Sequence, residues 1–341
     1  MAVPFREHGQ TAMTVAAAVA GGALFAWLRL PVPWLAGAMI FVAGLAMAGA
    51  PVRMPTQLRD FGMLVASVSL GSTVSPEALQ TIARYPYSLI GLGISIVATV
   101  TASRLILERI YGWDTPTAFL SSVPGALSMV MALAADSSGD VRRIAIVQAV
   151  RLFALVAVMP LAINATAVAM PVAVHSIVTP GNMALTFLAA LATAALFGRF
   201  GVANPMFLAG MITGTLLHVT DLISGDLPEP LAISGMVLVG MFAGMRFGGA
   251  TIRLLLGVLK PALLVLTVTL GISGVTAVIV HLMTGLKLAG VLVAFAPGGV
   301  EAMILMGAAM GLDTLYISTH HVLRSIALNA VTPLFAPRRK D

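Results

Sequence analysis

Continuous apolar stretches dominate this chain and limit what it can fold into. Most of them are about 17 to 25 residues long, the length of helix that spans about 30 Å of hydrocarbon. A membrane β-barrel would instead show alternating segments of about ten residues. Charged residues make up only 9% of the chain, whereas a soluble globular domain carries about 25%. The pattern therefore predicts an all-α integral membrane protein.

Two sets of six apolar segments follow one another along the 341 residues. Trp and Tyr recur at the breaks between segments, as expected for side chains that anchor spans at the membrane interface. No polar linker is long enough to separate soluble domains. The segments lie at residues 11–28, 34–50, 61–75, 86–107, 117–135 and 144–170, and again at 183–198, 205–219, 231–247, 252–281, 288–311 and 314–336.

The two sets match each other at one fixed offset along the chain, the distance from Pro124 to Pro297, which we call the repeat offset. Chance could supply a few Leu or Ala matches in so apolar a chain, but the matches include proline, aspartate and arginine in register. We therefore predict two membrane repeats, 11–170 and 183–336, that form one integrated membrane domain. The matches are Leu35-Ala36-Gly37 with Leu208-Ala209-Gly210, Gly62-Met63 with Gly235-Met236, Gly71 with Gly244, Pro124-Gly125 with Pro297-Gly298, Asp140 with Asp313, Arg151 with Arg324 and Pro160 with Pro333.

The charges of equivalent loops predict that the two repeats have opposite orientations. The loop after the second segment carries Arg53 and Arg59 against Asp60, whereas its counterpart carries Asp221, Asp226 and Glu229 and no basic residue. Because Lys and Arg concentrate in cytoplasmic loops, these loops should lie on opposite sides of the membrane. An inverted repeat needs an odd number of crossings, so one segment of each six should not cross. The prediction is about ten transmembrane helices in two inverted repeats, with both termini cytoplasmic.

A proline and adjacent glycines interrupt one apolar segment in each half, at Pro124-Gly125 and at Pro297-Gly298-Gly299. Such a break releases backbone amides and carbonyls from the helix. Paired broken helices near the bilayer midplane bind substrates and ions in secondary transporters. We therefore predict a broken or re-entrant segment in each repeat, with the functional site at the two breaks.

The second break is followed by an acid, Glu301, where the first half has Ser128. If a half-helix begins just after Gly299, Glu301 lies in its first turn, where the helix dipole favours a carboxylate. Two interpretations are open. Glu301 is either a proton or cation site that faces a cavity, or an N-terminal cap that accepts hydrogen bonds from backbone amides.

Arginines enter the last apolar segment of each half. Arg151 and Arg324 each follow an aspartate, Asp140 or Asp313, by the same interval, which is about 16 Å along a helix that rises 1.5 Å per residue. At that depth an arginine either snorkels to the interface or pairs inward with an acid or a substrate anion. The two aspartates are either site residues or ordinary helix caps.

The residues predicted to bind substrate or ion lie at the breaks and in the helix that follows each break. Gln148 and Arg151 are one helical turn apart, as are their equivalents His321 and Arg324. In this hypothesis Glu301 carries the coupling proton or cation, while the arginines compensate it or hold an anionic substrate. The full set is Pro124, Gly125, Ser128, Pro297, Gly298, Gly299, Glu301, Asp140, Asp313, Gln148, Arg151, His321 and Arg324.

Other classes of function lack their sequence signatures. The chain has no cysteine and no His-Glu-x-x-His motif, so the spacing predicts no metal site and no cofactor. It also has no phosphate-binding loop, which argues against ATP-driven pumping. The net charge is +6, but the longest basic cluster is Arg338-Arg339-Lys340, so no nucleic-acid partner is expected.

The chain resembles the AbrB family of bacterial membrane proteins. The resemblance rests on residues 33–37 (Pro-Trp-Leu-Ala-Gly), the two Gly-Met pairs and the two Pro-Gly segments, and it extends over residues 11–336. It implies a duplicated membrane domain in the bacterial inner membrane; members often carry the labels "ammonia monooxygenase" or "regulator of aidB expression". The family in turn resembles the cation-proton antiporter and anion transporter superfamily, which implies crossed broken helices at residues 121–131 and 294–304.

These observations predict a secondary transporter that couples a small solute to a proton or cation, and they favour a transporter over an enzyme. Two alternatives stay open: a membrane sensor that regulates gene expression indirectly, and a metal-dependent enzyme of the ammonia monooxygenase kind. The expected partners are the lipid bilayer, the solute and its coupling ion. A homodimer is a further open alternative.

Overall fold

The computed structural model describes residues 2–30, 32–72, 85–124, 127–164, 177–200, 204–248 and 252–335. Within these ranges the chain is helical, and its one β contact is an isolated bridge between Ile177 and Asp226. The all-α prediction is therefore confirmed. The helices are α1 (Ala2–Trp27), α2 (Pro33–Met47), α3 (Thr56–Ser72), α4 (Tyr85–Arg109), α5 (Thr115–Ser122), α6 (Leu127–Ala135), α7 (Val141–Asn164), α8 (Pro180–Arg199), α9 (Pro205–Val219), α10 (Glu229–Gly244), α11 (Ile252–Thr284), α12 (Leu288–Phe295), α13 (Val300–Ala309) and α14 (Thr314–Phe335).

The helices of the second half follow those of the first at the repeat offset. α5 and α12 correspond at both ends, and α3 and α10 correspond at their first residues. α9 begins one position earlier than the offset from α2 requires, because each starts with a proline directly after a residue in the left-handed region, Val32 (φ 49°) or Asn204 (φ 51°). The second half therefore contains one extra residue in the first turn of α9, and the repeat offset holds from Leu35 and Leu208 onward.

Five of the described helices are long and apolar enough to cross a membrane. Their outer faces are apolar: Ile94 and Val97 of α4 are 63% and 67% exposed, which suits contact with lipid tails. α2, α9 and α13 are also apolar but have only 10 to 17 residues, shorter than the ~20 that span a bilayer upright. The total of about ten spans thus stays a prediction. The five long spans are Glu7–Trp27, Tyr85–Arg109, Pro180–Arg199, Glu229–Phe247 and Leu254–Thr284.

The chain forms two compact units, and each unit draws on both halves of the duplicated sequence. The predicted repeats 11–170 and 183–336 are therefore each divided between the units. Both Pro-Gly breaks belong to the second unit. The first unit comprises Met1–Gln80, Ala167–Gly248 and Ile304–Leu315, and the second comprises Thr81–Thr166, Gly249–Met303 and Tyr316–Asp341.

In the first unit, glycines at equivalent positions allow helices of opposite halves to approach closely. A Cβ atom on Gly71 of α3 would lie 2.7 Å from the carbonyl oxygen of Met211 in α9. A Cβ atom on Gly244 of α10, the equivalent of Gly71 in the second half, would lie 2.5 Å from the carbonyl oxygen of Met39 in α2. The third helix of each half therefore packs on the second helix of the other half, through backbone contacts that only a small residue permits.

Substituting Gly71 with valine should destabilise the first unit, because the new side chain would overlap the backbone of α9. Overpacking of this kind costs about 1–3 kcal/mol. The matched control is Gly93→Val in α4, where an added Cβ meets nothing within 4 Å. Thermal unfolding of the purified protein in detergent should show a lower melting temperature for Gly71→Val alone. Equal melting temperatures for the two variants would contradict the packing described here.

Candidate functional site

The two predicted Pro-Gly breaks are present as interruptions between short helices. The first begins at Val123 and Pro124, directly after α5, and the second, residues 296–299, separates α12 from α13. Pro124 and Pro297 are buried, and Gly125 lies outside the described residues. Because the chain leaves the helix at each break, the last carbonyls of α5 and α12 have no partner within their own helix. A buried carbonyl needs a donor from elsewhere.

At the first break, that donor comes from α7. Arg151 Nη2 donates to the carbonyl oxygen of Val123 at 3.0 Å. Gln148 Nε2 donates to the carbonyl oxygens of Leu120 and Val123, both at 3.0 Å. Arg151 Nη2 also donates to Gln148 Oε1, so one side-chain pair satisfies the end of α5.

At the second break, α14 supplies the equivalent donors. Arg324 donates from Nη1 to the carbonyl oxygen of Ala296 at 2.7 Å and from Nη2 to that of Gly298 at 3.1 Å. Its Nη2 also lies 2.6 Å from His321 Nδ1, and His321 Nε2 lies 3.0 Å from the carbonyl oxygen of Val293. Because a guanidinium can only donate, Nδ1 is the acceptor, and the neutral ring donates from Nε2.

The two networks are related by the repeat offset. Arg151 corresponds to Arg324, and the carbonyls they bind, at Val123 and Ala296, also correspond. Gln148 and His321 are different residue types that perform the same task. Both repeats therefore contain the same interaction: a buried guanidinium group binds the C-terminal end of an interrupted helix. The helix dipole favours a cation at that end. We refer to Arg151 and Arg324 as the arginine pair.

The arginine pair has hydrogen-bonding capacity that the described residues do not use. Arg151 and Arg324 are only 4% and 2% exposed. Arg151 Nη1 and Arg324 Nε are buried and have no hydrogen-bond partner among the described groups. Buried donors of this kind are normally satisfied by a protein group, an ordered water or a bound ion or molecule.

Glu301 lies beside the second break, as the sequence predicts. It is in the first turn of α13 and only 7% exposed. Its Oε2 is 3.8 Å from the point where a Cβ atom on Gly299 would stand, and that point is 3.4 Å from Leu152 Cδ1. The carboxylate therefore lies at the break whose carbonyls bind Arg324, with Leu152 of α7 on the other side of Gly299. Ser128 lies in α6, and its side chain is outside the described residues.

The two aspartates lie at the surface, at the starts of the helices that carry the arginine pair. Asp140 Oδ1 accepts from the backbone amides of Arg142 and Arg143 at 3.0 and 3.1 Å, and Oδ2 pairs with Arg143 Nε at 3.2 Å. Asp313 is exposed and immediately precedes α14. The structure thus gives Asp140 the role of an N-terminal cap, and it fixes where α7 begins and at what depth Arg151 lies.

A second buried polar cluster was not predicted from the sequence. His320 Nδ1 contacts the carbonyl oxygen of Tyr316 at 2.8 Å, its Nε2 contacts Ser88 Oγ at 2.8 Å, and Ser88 Oγ also bonds the Tyr316 hydroxyl. Phe295, the last residue of α12, packs 6.2 Å from the His320 ring, centroid to centroid. The duplication could not identify this cluster, because Ser88 corresponds to Pro261 and His320 to Val147. In the sequence, the signal for this cluster was that Tyr316 and His320 are spaced one helical turn apart.

Metal chemistry receives no support from the arrangement of potential ligands. Among the residues that the structure describes, no three His, Cys, Asp or Glu side chains lie together as a metal site would require. His320 and His321 are adjacent, but each uses its ring nitrogens in the hydrogen bonds given above.

The fold and the site define a helical membrane protein with two interrupted helices whose ends are bound by buried arginines. The chain belongs to the AbrB family: the family model described as "Transition state regulatory protein AbrB" matches residues 34–339. The predicted family is thereby confirmed.

Two relatives match along nearly the whole chain. "Uncharacterized protein YhjN" from Bacillus subtilis (strain 168) is 23% identical, and the match covers 94% of this chain and 91% of that protein. "Putative regulator AbrB" from Escherichia coli (strain K12) is also 23% identical, covering 92% of this chain and 91% of that protein.

Replacing Arg324 with alanine should destabilise the second unit, because the carbonyls of Ala296 and Gly298 would lose their donors. Each buried group left unsatisfied costs about 1–3 kcal/mol. The control is Arg104→Ala, since Arg104 pairs with Glu108 at the surface, with 43% of its side chain exposed, and such pairs contribute about 0–1 kcal/mol. Thermal unfolding in detergent should separate the two variants. A melting temperature for Arg324→Ala as high as that of Arg104→Ala would show that the break does not depend on this arginine.

Proposed function

We propose that the protein is a secondary transporter that moves a small solute across the bacterial inner membrane, coupled to a proton or cation. The observation that carries the proposal is the pair of interrupted helices whose ends are bound by equivalent buried arginines. Interrupted helices at equivalent positions of two repeats form the substrate and ion sites of many secondary transporters. A purely structural helix would have no need of the break, since an uninterrupted helix satisfies these carbonyls itself.

In this proposal the chain has about ten transmembrane helices in two inverted repeats, with both termini in the cytoplasm. Two observations support the inversion. Equivalent loops carry opposite charge, with Arg53 and Arg59 in one and Asp221 and Asp226 in the other. In addition, the contacts of Gly71 and Gly244 are reciprocal between the halves, as two halves related by a two-fold axis would produce.

Glu301 is the coupling residue in this proposal. It is a buried carboxylate at the start of a half-helix, beside a break, and carboxylates inside membrane proteins commonly carry protons or cations in pumps and transporters. The first half has Ser128 at the equivalent position, so coupling would reside in one repeat while both repeats shape the site.

A second candidate function is a membrane sensor that influences gene expression through a partner. The name of the Escherichia coli relative, a regulator, favours this candidate. A transporter can also have such an effect indirectly, by changing the concentration of a signalling solute. Flux measured with purified protein in lipid vesicles separates the two, because a sensor without transport activity would produce none.

Glu301→Gln should abolish or uncouple flux, because glutamine keeps the shape of the side chain but cannot bind and release a proton. The solute is first identified by a thermal-stability screen against amino acids, organic acids, ammonium and simple ions. Transport is then measured in vesicles under an imposed proton or sodium gradient. Glu229→Gln is the control, since Glu229 is also in the first turn of a helix, α10, but is exposed. Flux through Glu301→Gln that still responds to the gradient as the wild type does would remove Glu301 from the mechanism.

A further inference from the structure

A groove runs along the exposed face of α1 in the first unit. Its volume is about 900 Å³, within the range of about 300–1,000 Å³ that is usual for sites that bind small molecules. Its walls are residues of α1 between Glu7 and Ala20, together with Arg53 and Pro55 from the segment that leads into α3. All of these residues belong to the first unit, which does not contain the two Pro-Gly breaks.

The segment that carries Arg53 is held against α1 by a buried hydroxyl group. Thr14 Oγ1 accepts a hydrogen bond from the backbone amide of Arg53 at 3.0 Å and donates one to the carbonyl oxygen of Gln10 at 2.7 Å. Thr14 is fully buried. One wall of the groove is therefore fixed before anything binds, and a preformed site loses less free energy to ordering when its ligand arrives.

Most of the groove is apolar. Ala12, Ala16 and Ala20 follow one another at intervals of four residues, so they share one face of the helix, and Val19 beside them is 46% exposed. The helix rises about 12 Å from Ala12 to Ala20, at 1.5 Å per residue. One leaflet contributes about 15 Å of a bilayer's hydrocarbon, which is about 30 Å thick. The apolar part of the groove thus has nearly the depth of one layer of acyl chains.

Charged and polar groups lie at the other end of the groove. Arg53 Nη1 is 2.8 Å from Glu7 Oε1, and the two side chains are 42% and 40% exposed; His8 and Thr11 also line this end. Glu7 is the first residue of the span Glu7–Trp27, so the ion pair lies at the level of the lipid headgroups. A guanidinium has five N–H donors and a carboxylate has two accepting oxygens. One ligand can therefore meet a donor and an acceptor of opposite charge here.

We propose that the groove binds a phospholipid whose zwitterionic headgroup carries a primary ammonium, the phosphatidylethanolamine class. The phosphate accepts from Arg53, the ammonium donates to Glu7, and one acyl chain lies along the face of Ala12 and Ala20. The charges select among lipids, because phosphatidylglycerol has no cation for Glu7 and the quaternary ammonium of phosphatidylcholine has no N–H donor. This lipid site does not depend on the proposed transport function.

A second copy of the chain fits the groove less well than a lipid. Small residues at intervals of four do occur where membrane helices pack together. A symmetric contact between two copies, however, places the same surface on both sides, and two concave surfaces leave the space between them unfilled. A flexible acyl chain takes the shape of the groove and leaves no such space.

Native mass spectrometry of the purified full-length protein tests the inference. The probes are phosphatidylethanolamine, phosphatidylcholine and phosphatidylglycerol with identical acyl chains, added in equal amounts to delipidated protein in detergent. We expect phosphatidylethanolamine to be retained about three- to fivefold better than either of the others, which is the size of effect that an exposed ion pair produces. This comparison uses the wild type and does not depend on whether any variant folds.

Variants of the ion pair separate the two parts of the headgroup. Glu7→Gln should abolish the preference over phosphatidylcholine, because the ammonium loses its acceptor. Arg53→Gln should lower the retention of all three lipids, because each of them carries a phosphate. Arg59→Gln is the control for Arg53→Gln: Arg59 pairs with Asp60 at 2.8 Å and is also 42% exposed, but it is not a residue of the groove.

A variant of the apolar part tests where the acyl chain lies. Ala16→Trp should lower the retention of all three lipids, because the indole fills the groove. Val97→Trp in α4 is its control, since Val97 is 67% exposed and is not a residue of the groove.

Equal retention of the three lipids by the wild type would overturn the inference. A preference over phosphatidylcholine that survives in Glu7→Gln, or lipid retention that is unchanged in Ala16→Trp, would also overturn it. A wild-type dimer that Ala16→Trp converts into monomers would show instead that a second copy of the chain occupies the groove.

Discussion

The structure depends on a buried guanidinium group that binds the carbonyl end of an interrupted helix. Without that contact, the break would expose unsatisfied carbonyls in an apolar interior, where no water replaces the lost donor. The same contact gives the arginine a reason to be buried, because the helix end offsets part of its charge. Break and arginine are therefore mutually dependent, and the chain contains the combination twice, at Val123 with Arg151 and at Ala296 with Arg324.

The two repeats share the same arrangement of helices and arginines, but a few residues differ between them and change the chemistry. Gln148 binds the carbonyl of Leu120, three residues before the carbonyl that Arg151 binds. His321 binds the carbonyl of Val293, three residues before the first carbonyl that Arg324 binds. The hydrogen bond is therefore kept although the residue type differs. Glu301 has no acidic counterpart, since Ser128 occupies its place. A frame common to both repeats, with one acid beside the second break alone, would give the site a single titratable carboxylate. On this basis we propose that coupling resides in the second repeat.

Much of this arrangement was predictable from the sequence because it is local or repeated. The repeat offset predicted which helices correspond, the Pro-Gly dipeptides predicted the breaks, and the one-turn spacing of Gln148 and Arg151 predicted a shared helix face. The targets of the arginines were not predictable, since a sequence suggests an acid or an anion as the partner of a buried cation and does not show a carbonyl. The contact of Ser88 with His320 joins residues 232 positions apart and has no repeated counterpart to reveal it.

The proposed transport function requires that the breaks form a site that can be reached from each side of the membrane, and accessibility measures this most directly. The chain has no cysteine, so a single Ser121→Cys substitution introduces one thiol two residues before the first break, at a buried hydroxyl that has no hydrogen-bond partner among the described groups. The account predicts that a membrane-impermeant maleimide labels this thiol from the cytoplasmic face and, separately, from the opposite face of oriented vesicles, while the wild type gives only background. Labelling from one face alone, under every solute and pH condition, would contradict it.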